Sequence, residues 1–266
     1  MSKSLFRDLE KRYNIKYFVD DAVIISYPKS GRTWLRMILA KLLVNMGYDH
    51  KEWEMLPCIH ATPLELKQKV SRDEDLIPFK TWKDLKVLVL HRDPGDVCIS
   101  HYSELMTSDR SGAFGSLDPP LSKNSNIVSF LKHPNAGVEN IIKFNNMWYR
   151  MIDQKTQESK IYKEIKFVSY ENMIKDDFLV VKGIVDFLGI KCTTPQIKDA
   201  VEYSRFENMK KIDKISARPL DKPVPDADKY VNYLEHYKGN FGVEEGRVRK
   251  GASGGYRKEL RKEEIN

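Results

Sequence analysis

The stretch Tyr27-Pro-Lys-Ser-Gly-Arg-Thr-Trp34 decides the fold, because it joins the apolar run 22–25 to the amphipathic run 35–46. These three parts are typical of a strand, a loop of small residues and a helix. Backbone N–H groups in such a loop, with the helix N-terminus behind them, can bind phosphate or a related anion. Lys29 adds a mobile cation. The stretch therefore predicts an anion-binding loop at the start of a helix.

This loop differs from the common nucleoside-triphosphate loop. That loop needs a Gly, four further residues and then Gly-Lys-Ser/Thr, whose last hydroxyl binds magnesium. Here Lys29 precedes Gly31, and no hydroxyl residue follows a Gly-Lys pair in the loop. For this motif alone, a strand-to-helix turn that merely contains Lys and Ser stays open as an alternative. A second motif is needed to decide.

The second motif is Val87-Leu-Val-Leu-His-Arg-Asp-Pro-Gly-Asp-Val-Cys-Ile-Ser-His-Tyr102, again an apolar strand, a Pro/Gly turn and a helix start. Arg92 leaves the strand at the edge where open parallel sheets bind their ligands. Asp93 or Asp96 could cap the following helix. Ser100 lies on that helix, close enough to reach the same anion as Arg92. The motif therefore predicts a second phosphate pocket.

A third basic element, Arg247-Val-Arg-Lys-Gly-Ala-Ser-Gly-Gly-Tyr256, contains small residues that let the backbone approach a ligand closely. Taken alone, it is also typical of a flexible, solvated basic tail. It gains weight from the two motifs that precede it.

Together these motifs resemble the sulfotransferases that use 3′-phosphoadenosine 5′-phosphosulfate (PAPS), particularly the cytosolic-type branch with the loop Tyr-Pro-Lys-Ser-Gly-Thr-Thr-Trp. Seven of the eight positions match, and Arg32 replaces the first Thr. The resemblance implies that the 5′-phosphosulfate is bound by Lys29, Ser30, Gly31, Arg32, Thr33 and Trp34. It also implies that Arg92 and Ser100 bind the 3′-phosphate, and that Arg249, Lys250 and Gly251 complete that pocket.

The resemblance continues through the middle of the chain and covers about residues 20–260. Phe167-Val-Ser-Tyr-Glu-Asn172 is similar to a family strand whose Tyr lies near the nucleotide base, which implies that role for Tyr170. Ser204-Arg-Phe-Glu-Asn-Met209 is similar to a segment that lines the adenine site. The implied adenine-binding residues there are Ser204, Phe206 and Met209.

Sulfuryl transfer needs a base at the acceptor and cations at the leaving 5′-phosphate. Lys29 is expected to stabilise charge on the leaving oxygen, and the resemblance implies that Ser100 restrains Lys29 until the acceptor arrives. His60 is the expected catalytic base, although Cys58-Ile59 replaces the family's preceding Lys-Thr. The rival histidines are His91, expected in the core, and His101, where the family usually has an aromatic residue. The scheme requires no metal.

Strands and helices alternate along the chain, which predicts an α/β fold: a single-domain, doubly wound parallel sheet flanked by helices, with a P-loop-like phosphosulfate-binding loop. The expected single domain is 1–266, with a core of about 20–260 and variable substrate loops at about 51–80, 107–136 and 216–240. The pattern predicts strands at 22–26, 86–91 and 165–169. It predicts helices at 33–46, 95–106, 137–154, 177–188 and 195–204.

Composition restricts the class of protein further. The chain has 41% hydrophobic residues and a formal net charge of +7. A positive charge suits nucleic acid, but no helix-turn-helix, zinc-finger or aromatic RNA-binding motif is visible, so an anionic cofactor is preferred and no nucleic-acid partner is expected. The sequence predicts no transmembrane segment and no secretory signal, hence a cytoplasmic location. The three cysteines are expected to be reduced.

The sequence thus predicts a PAPS-dependent sulfotransferase that transfers a sulfuryl group to an acceptor hydroxyl, or less favourably to an amine, and releases 3′-phosphoadenosine 5′-phosphate (PAP). The acceptor is a small molecule or a glycan or lipid hydroxyl, and the sequence does not select among these. A homodimer is possible, but no recognisable motif supports it. The alternative functions are an atypical nucleotide-dependent phosphotransferase and a non-catalytic nucleotide- or polyanion-binding protein.

Overall fold

The structure is a computed structural model that describes residues 10, 15–50, 52–60, 84–107, 117, 119–122, 125–152, 162–210 and 253–260, without the side chains of residues 59, 60, 258 and 259. Within these residues the strands are β1 (Lys16–Tyr17), β2 (Ala22–Ser26), β3 (Trp53–Glu54), β4 (Cys58–His60), β5 (Lys86–His91) and β6 (Glu164–Ser169). β4, β2, β5 and β6 lie side by side in that order, and all neighbours are parallel. β1 and β3 form a separate parallel pair.

Helices follow or connect most of these strands. In chain order they are α1 (Arg32–Asn45), α2 (Pro94–Thr107), α3 (Ile127–Leu131), α4 (Val138–Tyr149), α5 (Tyr170–Lys175), α6 (Asp177–Leu188), α7 (Thr194–Tyr203) and α8 (Tyr256–Glu259). No helix among the described residues is both long and apolar enough to cross a membrane.

The central strands are buried on both faces, as parallel sheets covered by helices require. Every residue of β2 is buried. Val23 and Ile25 point to one face and pack into a cluster with residues of α2 and α4. Ala22 and Ile24 point to the other face and join residues of α1, α6 and α7. Helices on both faces of a parallel sheet confirm the predicted doubly wound α/β fold.

The register of the sheet places the carboxyl ends of its strands at one edge. Ser26, the last residue of β2, pairs with His60 of β4 and with Leu90 of β5. His91 of β5 pairs with Ser169 of β6. The segments that follow these strands therefore begin close to one another, at the edge where open α/β sheets bind ligands.

The predicted strands agree with β2, β5 and β6 to within one residue. The helix predicted to reach residue 154 ends earlier, since α4 ends at Tyr149 and Arg150 forms its C-cap. The short strand β4 and the short helix α5 were not predicted. The predicted substrate loop 107–136 contains the helix α3 among its described residues. The predicted loop 216–240 lies outside the described residues.

Candidate active site

The loop after β2 has an unusual backbone that leaves the start of α1 without a side-chain cap. Lys29 has φ 68° and Gly31 has φ 96°, so both are in the left-handed region, which residues with a Cβ seldom adopt. Gly31 is the N-cap of α1, and the first turn of that helix contains no acidic residue. The partial positive charge of the helix N-terminus is thus not compensated by an acidic residue of its own first turn, an arrangement suited to an anionic ligand.

Tyr170 holds this loop in place. It is buried, and a Cβ at position 31 would overlap its ring, so only glycine fits there. The Tyr170 ring also meets Trp34 edge to face, with ring centroids 5.7 Å apart. Burial is the main cause that raises the pKa of Tyr170, which keeps its hydroxyl neutral. The family motifs after β2 and β6 are therefore in direct contact.

Arg92 connects the second motif to the first. Its Nη1 donates a hydrogen bond of 3.3 Å to the backbone carbonyl of Lys29. Its guanidinium lies over the Tyr170 ring, with Cζ 4.1 Å from the centroid. The Arg92 side chain is only 12% exposed and lies 4.0 Å from the buried carboxylate of Asp96. Arg92 is therefore held beside the anion loop rather than extended into solvent.

The turn after β5 is closed by its own carboxylates. Asp93 Oδ1 accepts hydrogen bonds from the backbone N–H groups of Gly95, at 2.8 Å, and Asp96, at 3.3 Å. Of the two aspartates that the sequence offered as a cap, Asp93 is the one that caps α2. The Asp96 carboxylate instead accepts from the N–H groups of Gly254, at 2.6 Å, and Tyr256, at 3.1 Å. The start of α2 thereby binds the segment 253–260.

Sequence reasoning missed one charged residue of this site. Glu104 on α2 forms an ion pair with Lys29, with Nζ and Oε1 3.4 Å apart and side chains 18% and 28% exposed. Ser100 lies four residues earlier on α2, which places Ser100 and Glu104 on one face of the helix. The four-residue spacing from Ser100 could have placed Glu104 in the site. It was not sufficient, because an acidic residue on an amphipathic helix is usually solvent-exposed.

The histidines are in different environments. Burial lowers the pKa of His101 to about 4; Glu104 raises it and Lys29 lowers it further, so His101 is near both charges. Burial also lowers the pKa of His91, which lies against Phe167 with ring centroids 6.1 Å apart. His91 is only partly buried at the end of β5, however, so it is not the core residue that the sequence predicted. His60 ends β4 at the ligand edge. The His60 side chain lies outside the described residues, so its role as base stays a prediction.

The predicted adenine-binding residues lie at and after the end of α7. Ser204 is the C-cap of α7 and is fully buried, and Met209 is also buried. Two buried polar atoms, Ser204 Oγ and Trp34 Nε1, have no hydrogen-bond partner among the described residues. A buried polar group without a partner carries a desolvation cost. Ser26, His101 and Trp148 also have such an atom, so the role of Ser204 at the adenine base stays a prediction.

Other predicted residues are placed less completely. Arg32 is close enough to Cys58 to lower its thiol pKa, although burial raises that pKa overall to about 11. Thr33 lies in the first turn of α1, and Phe206 lies in the helical residues 206–210. Arg249, Lys250 and Gly251 lie outside the described residues, so their part in the phosphate pocket stays a prediction.

Comparison with known proteins identifies the family. The family model described as a sulfotransferase domain matches residues 19–266. This chain belongs to the sulfotransferase domain family. Two curated sulfotransferases show how far the sequences of related proteins have diverged from this chain. The amine sulfotransferase of Oryctolagus cuniculus is 26% identical over 269 aligned positions, which cover 94% of this chain and 78% of that protein. The 3-beta-hydroxysteroid sulfotransferase of Cavia porcellus is 28% identical over 225 positions, covering 79% and 72%.

A solved structure shows the same fold as this sulfotransferase. Retinol dehydratase in complex with androsterone and the inactive cofactor PAP has a TM-score of 0.57 and 19% sequence identity. The match covers 97% of this chain and 81% of that one. These comparisons confirm the predicted enzyme class and fold of the sulfotransferase. The predicted pair of PAPS and PAP agrees with the cofactor in that structure.

Proposed function

We propose that this sulfotransferase transfers the sulfuryl group of PAPS to an acceptor hydroxyl, or less favourably an amine, and releases PAP. One observation carries the proposal: the loop after β2, Arg92 after β5 and Tyr170 after β6 contact one another at one edge of the sheet. An anion-binding helix N-terminus, a second cation and a buried aromatic ring suit a nucleotide with two phosphate positions.

Within this proposal the loop after β2 binds the 5′-phosphosulfate. Its backbone turns through the left-handed residues Lys29 and Gly31 into the N-terminus of α1. The N–H groups there supply positive partial charge, and the Lys29 ammonium supplies a full charge. Placed at the oxygen that bridges sulfur and the 5′-phosphate, the Lys29 ammonium stabilises the negative charge that develops on this oxygen as its bond to sulfur breaks. Arg32 adds charge at the start of α1.

The second half of the proposed cofactor site is at Arg92 and Ser100. The Arg92 guanidinium has a planar fork that can bind two phosphate oxygens at once. Ser100 follows on α2, in the turn after Asp96. Gly254, three residues after Gly251, binds Asp96 through its backbone N–H. This bond supports a contribution of Arg249, Lys250 and Gly251 to the same phosphate pocket. Ser204, Phe206 and Met209 are proposed to line the adenine base.

The proposed reaction is an in-line displacement at sulfur. A new bond forms between the acceptor oxygen and sulfur, and the bond between sulfur and the bridging oxygen of the 5′-phosphate breaks. The acceptor proton passes to His60, and the electron pair of the broken bond stays on the 5′-phosphate of PAP. His60 is proposed as base because it ends β4 at the ligand edge, in register with Ser26 just before the loop.

The acceptor class is proposed only as a hydroxyl of a small molecule, a glycan or a lipid. The two curated relatives are named for amine and hydroxysteroid substrates, which indicates that the family accepts varied nucleophiles. A cytoplasmic location and a single domain with variable loops at 51–80, 107–136 and 216–240 remain part of the proposal.

Calorimetric binding of PAP, ADP and AMP tests the cofactor. We expect PAP to bind at least 10-fold more tightly than AMP, because each charge-assisted hydrogen bond to the 3′-phosphate contributes about 1.5–3 kcal/mol. ADP should bind no better than AMP. Tighter binding of ADP than of PAP would overturn the proposal and favour the phosphotransferase alternative.

Transfer of labelled sulfate from PAPS to a panel of phenols, steroids, sugars and amines tests the activity. We expect at least one acceptor to be sulfated. Lys29→Met should lower kcat about 100- to 1000-fold, the size of effect seen when one transition-state contact is lost. His60→Gln should also lower kcat while PAP binding is retained. Retained PAP binding without transfer to any acceptor would favour the non-catalytic alternative.

A further inference from the structure

Lys29 is held from two sides by residues at or after the end of β5. Its backbone carbonyl accepts a hydrogen bond from Arg92 at 3.3 Å. Its ammonium lies 3.4 Å from the carboxylate of Glu104, eleven residues into the α2 region. The backbone contact fixes where the Lys29 side chain begins. The carboxylate contact fixes where its charge lies.

The Lys29–Glu104 pair differs from the ion pairs on the surface. Its side chains are 18% and 28% exposed, whereas those of the Lys143–Glu139 pair on α4 are 60% and 74% exposed. An exposed pair contributes little to stability. A carboxylate beside an anion-binding loop also repels an anionic ligand. This repulsion is stronger where water is excluded, because the effective dielectric constant is lower there. Glu104 thus has a cost for cofactor binding that a surface acid would not have.

We propose that Glu104 is a positioning residue that orients the Lys29 ammonium for sulfuryl transfer. This proposal rests on the proposed function, because it assigns Lys29 to the leaving oxygen. An ammonium has three donors. The ion pair with Glu104 at 3.4 Å is therefore compatible with contacts from the same ammonium to the phosphosulfate. A lysine side chain has four rotatable carbon–carbon bonds, so a fixed partner reduces the orientations that the ammonium samples.

The position of Glu104 on α2 couples the two halves of the site. Ser100 lies one turn earlier on the same helix face, and Arg92 precedes the helix. α2 therefore carries Ser100, a predicted contact to the 3′-phosphate, together with the ion-pair partner of Lys29. His101 lies near the same pair, but burial keeps it neutral and removes it as a competing charge.

Amine reactivity of Lys29 tests the contact without any cofactor. Trace labelling with acetic anhydride at pH 8, read by peptide mass spectrometry, reports the free-amine fraction of each lysine. In Glu104→Leu we expect Lys29 to react two- to five-fold faster relative to the exposed Lys182 on α6, because loss of the carboxylate removes the negative charge that favours the protonated ammonium. The matched control Glu139→Leu should leave Lys29 unchanged. An unchanged Lys29 rate in Glu104→Leu would overturn the proposal.

Kinetics separate positioning from a structural role. We expect Glu104→Leu to lower kcat about ten-fold while PAP binds two- to five-fold more tightly, since an acceptor for Lys29 and a repulsive charge are lost together. Glu104→Gln keeps an acceptor oxygen, so it should recover part of kcat but retain the tighter PAP binding. Weaker PAP binding that accompanies a lower melting temperature in both variants would mean a structural role and overturn the proposal.

The two tests also separate this proposal from the proposed function. If the wild-type protein fails to bind PAP, the sulfotransferase scheme fails, whereas the labelling result still decides whether Glu104 controls the Lys29 amine. Suppose instead that the wild-type protein binds PAP and transfers sulfate, but that kcat and PAP affinity are unchanged in both Glu104 variants. Glu104 then has no positioning role, and the proposed sulfotransferase reaction stands.

Discussion

The turns after β2 and β5 occupy the same edge of the sheet but are built in opposite ways. In the turn after β2, Lys29 and Gly31 adopt left-handed backbone and no side chain caps the helix. In the turn after β5, Asp93 caps the helix and Asp96 binds the segment 253–260. The first turn leaves its helix N-terminus for a ligand, and the second uses its helix N-terminus for the protein itself.

In the proposed scheme, one fold therefore makes two anion sites by two means. The turn after β2 offers backbone N–H groups, which need close approach and therefore glycine at position 31. The turn after β5 satisfies its N–H groups internally and offers the Arg92 side chain instead. Backbone recognition tolerates little change in shape, whereas side-chain recognition depends on the chemistry of one residue. Substitutions should therefore affect the two turns differently.

Gly31→Ala should have the largest effect on stability and break the first turn. Alanine at position 31 would have to adopt φ 96°, and its Cβ would overlap the Tyr170 ring. We therefore expect a loss of about 2–4 kcal/mol in the free energy of unfolding. Gly47→Ala is the matched control, because Gly47 has φ 91° but nothing within 4 Å of its added Cβ. Urea denaturation should show at most half the loss in the control. Equal losses would contradict the role of Tyr170.

Burial of His101 on α2, beside the anion-binding loop, should make the stability of the protein depend on pH. His101 has a folded pKa of about 4 against a usual value of 6.5. Between these values the unfolded chain binds a proton that the folded chain does not, so stability present above pH 6.5 is lost as pH falls toward 4. From pH 7 to 5 the loss should be about 2 kcal/mol greater than in His101→Phe. Parallel pH profiles from urea denaturation would refute this.

Arg92→Lys should break the second turn by changing chemistry without changing charge. Lysine lacks the planar fork and stacks less well on Tyr170. We expect about 10-fold weaker PAP binding and little change for AMP, measured by calorimetry. Arg150→Lys is the control, because Arg150 is an exposed residue at the end of α4, outside the motifs assigned to the cofactor. A similar loss for both nucleotides would mean that Arg92 acts through the loop carbonyl of Lys29 rather than through the 3′-phosphate.

Asp93→Ala should have the smallest effect and sharpen the comparison. It removes the cap of α2, for which a loss of about 1 kcal/mol in the free energy of unfolding is typical. Asp93→Asn keeps an oxygen that can accept from Gly95 and should recover most of this loss. Thermal unfolding of both variants measures the difference. No loss in Asp93→Ala would show that the second turn does not depend on its cap.

Much of the fold could be predicted because its central strands are apolar runs. Residues 22–25 and 87–90 are uniformly apolar, which is typical of a buried parallel strand. β4 has only three residues, including Cys58 and His60, and gives no comparable pattern. The predicted end of α4 was too late because Met151 and Ile152 are buried apolar residues just beyond the helix. Periodicity reports burial, and burial does not stop where a helix ends.

The candidate site could be predicted where a residue belongs to a distinctive motif. Lys29, Arg92 and Tyr170 were assigned in this way, and the structure brings them together. Their contacts could not be predicted, because they depend on the register between strands far apart in sequence. Glu104 has no motif of its own, and only its ion pair with Lys29 reveals it. The side chain of His60 remains a prediction.

The bonds from Asp96 to Gly254 and Tyr256 also order events during synthesis. Asp96 and Gly254 are 158 residues apart. At about 5–20 residues per second, a growing chain makes the start of α2 roughly 8–30 s before it makes the backbone groups that satisfy this carboxylate. Until then the Asp96 carboxylate, which lies beside Arg92, has to accept hydrogen bonds from water or from neighbouring residues. The nascent enzyme therefore completes this contact only after all four strands of the described sheet have been translated.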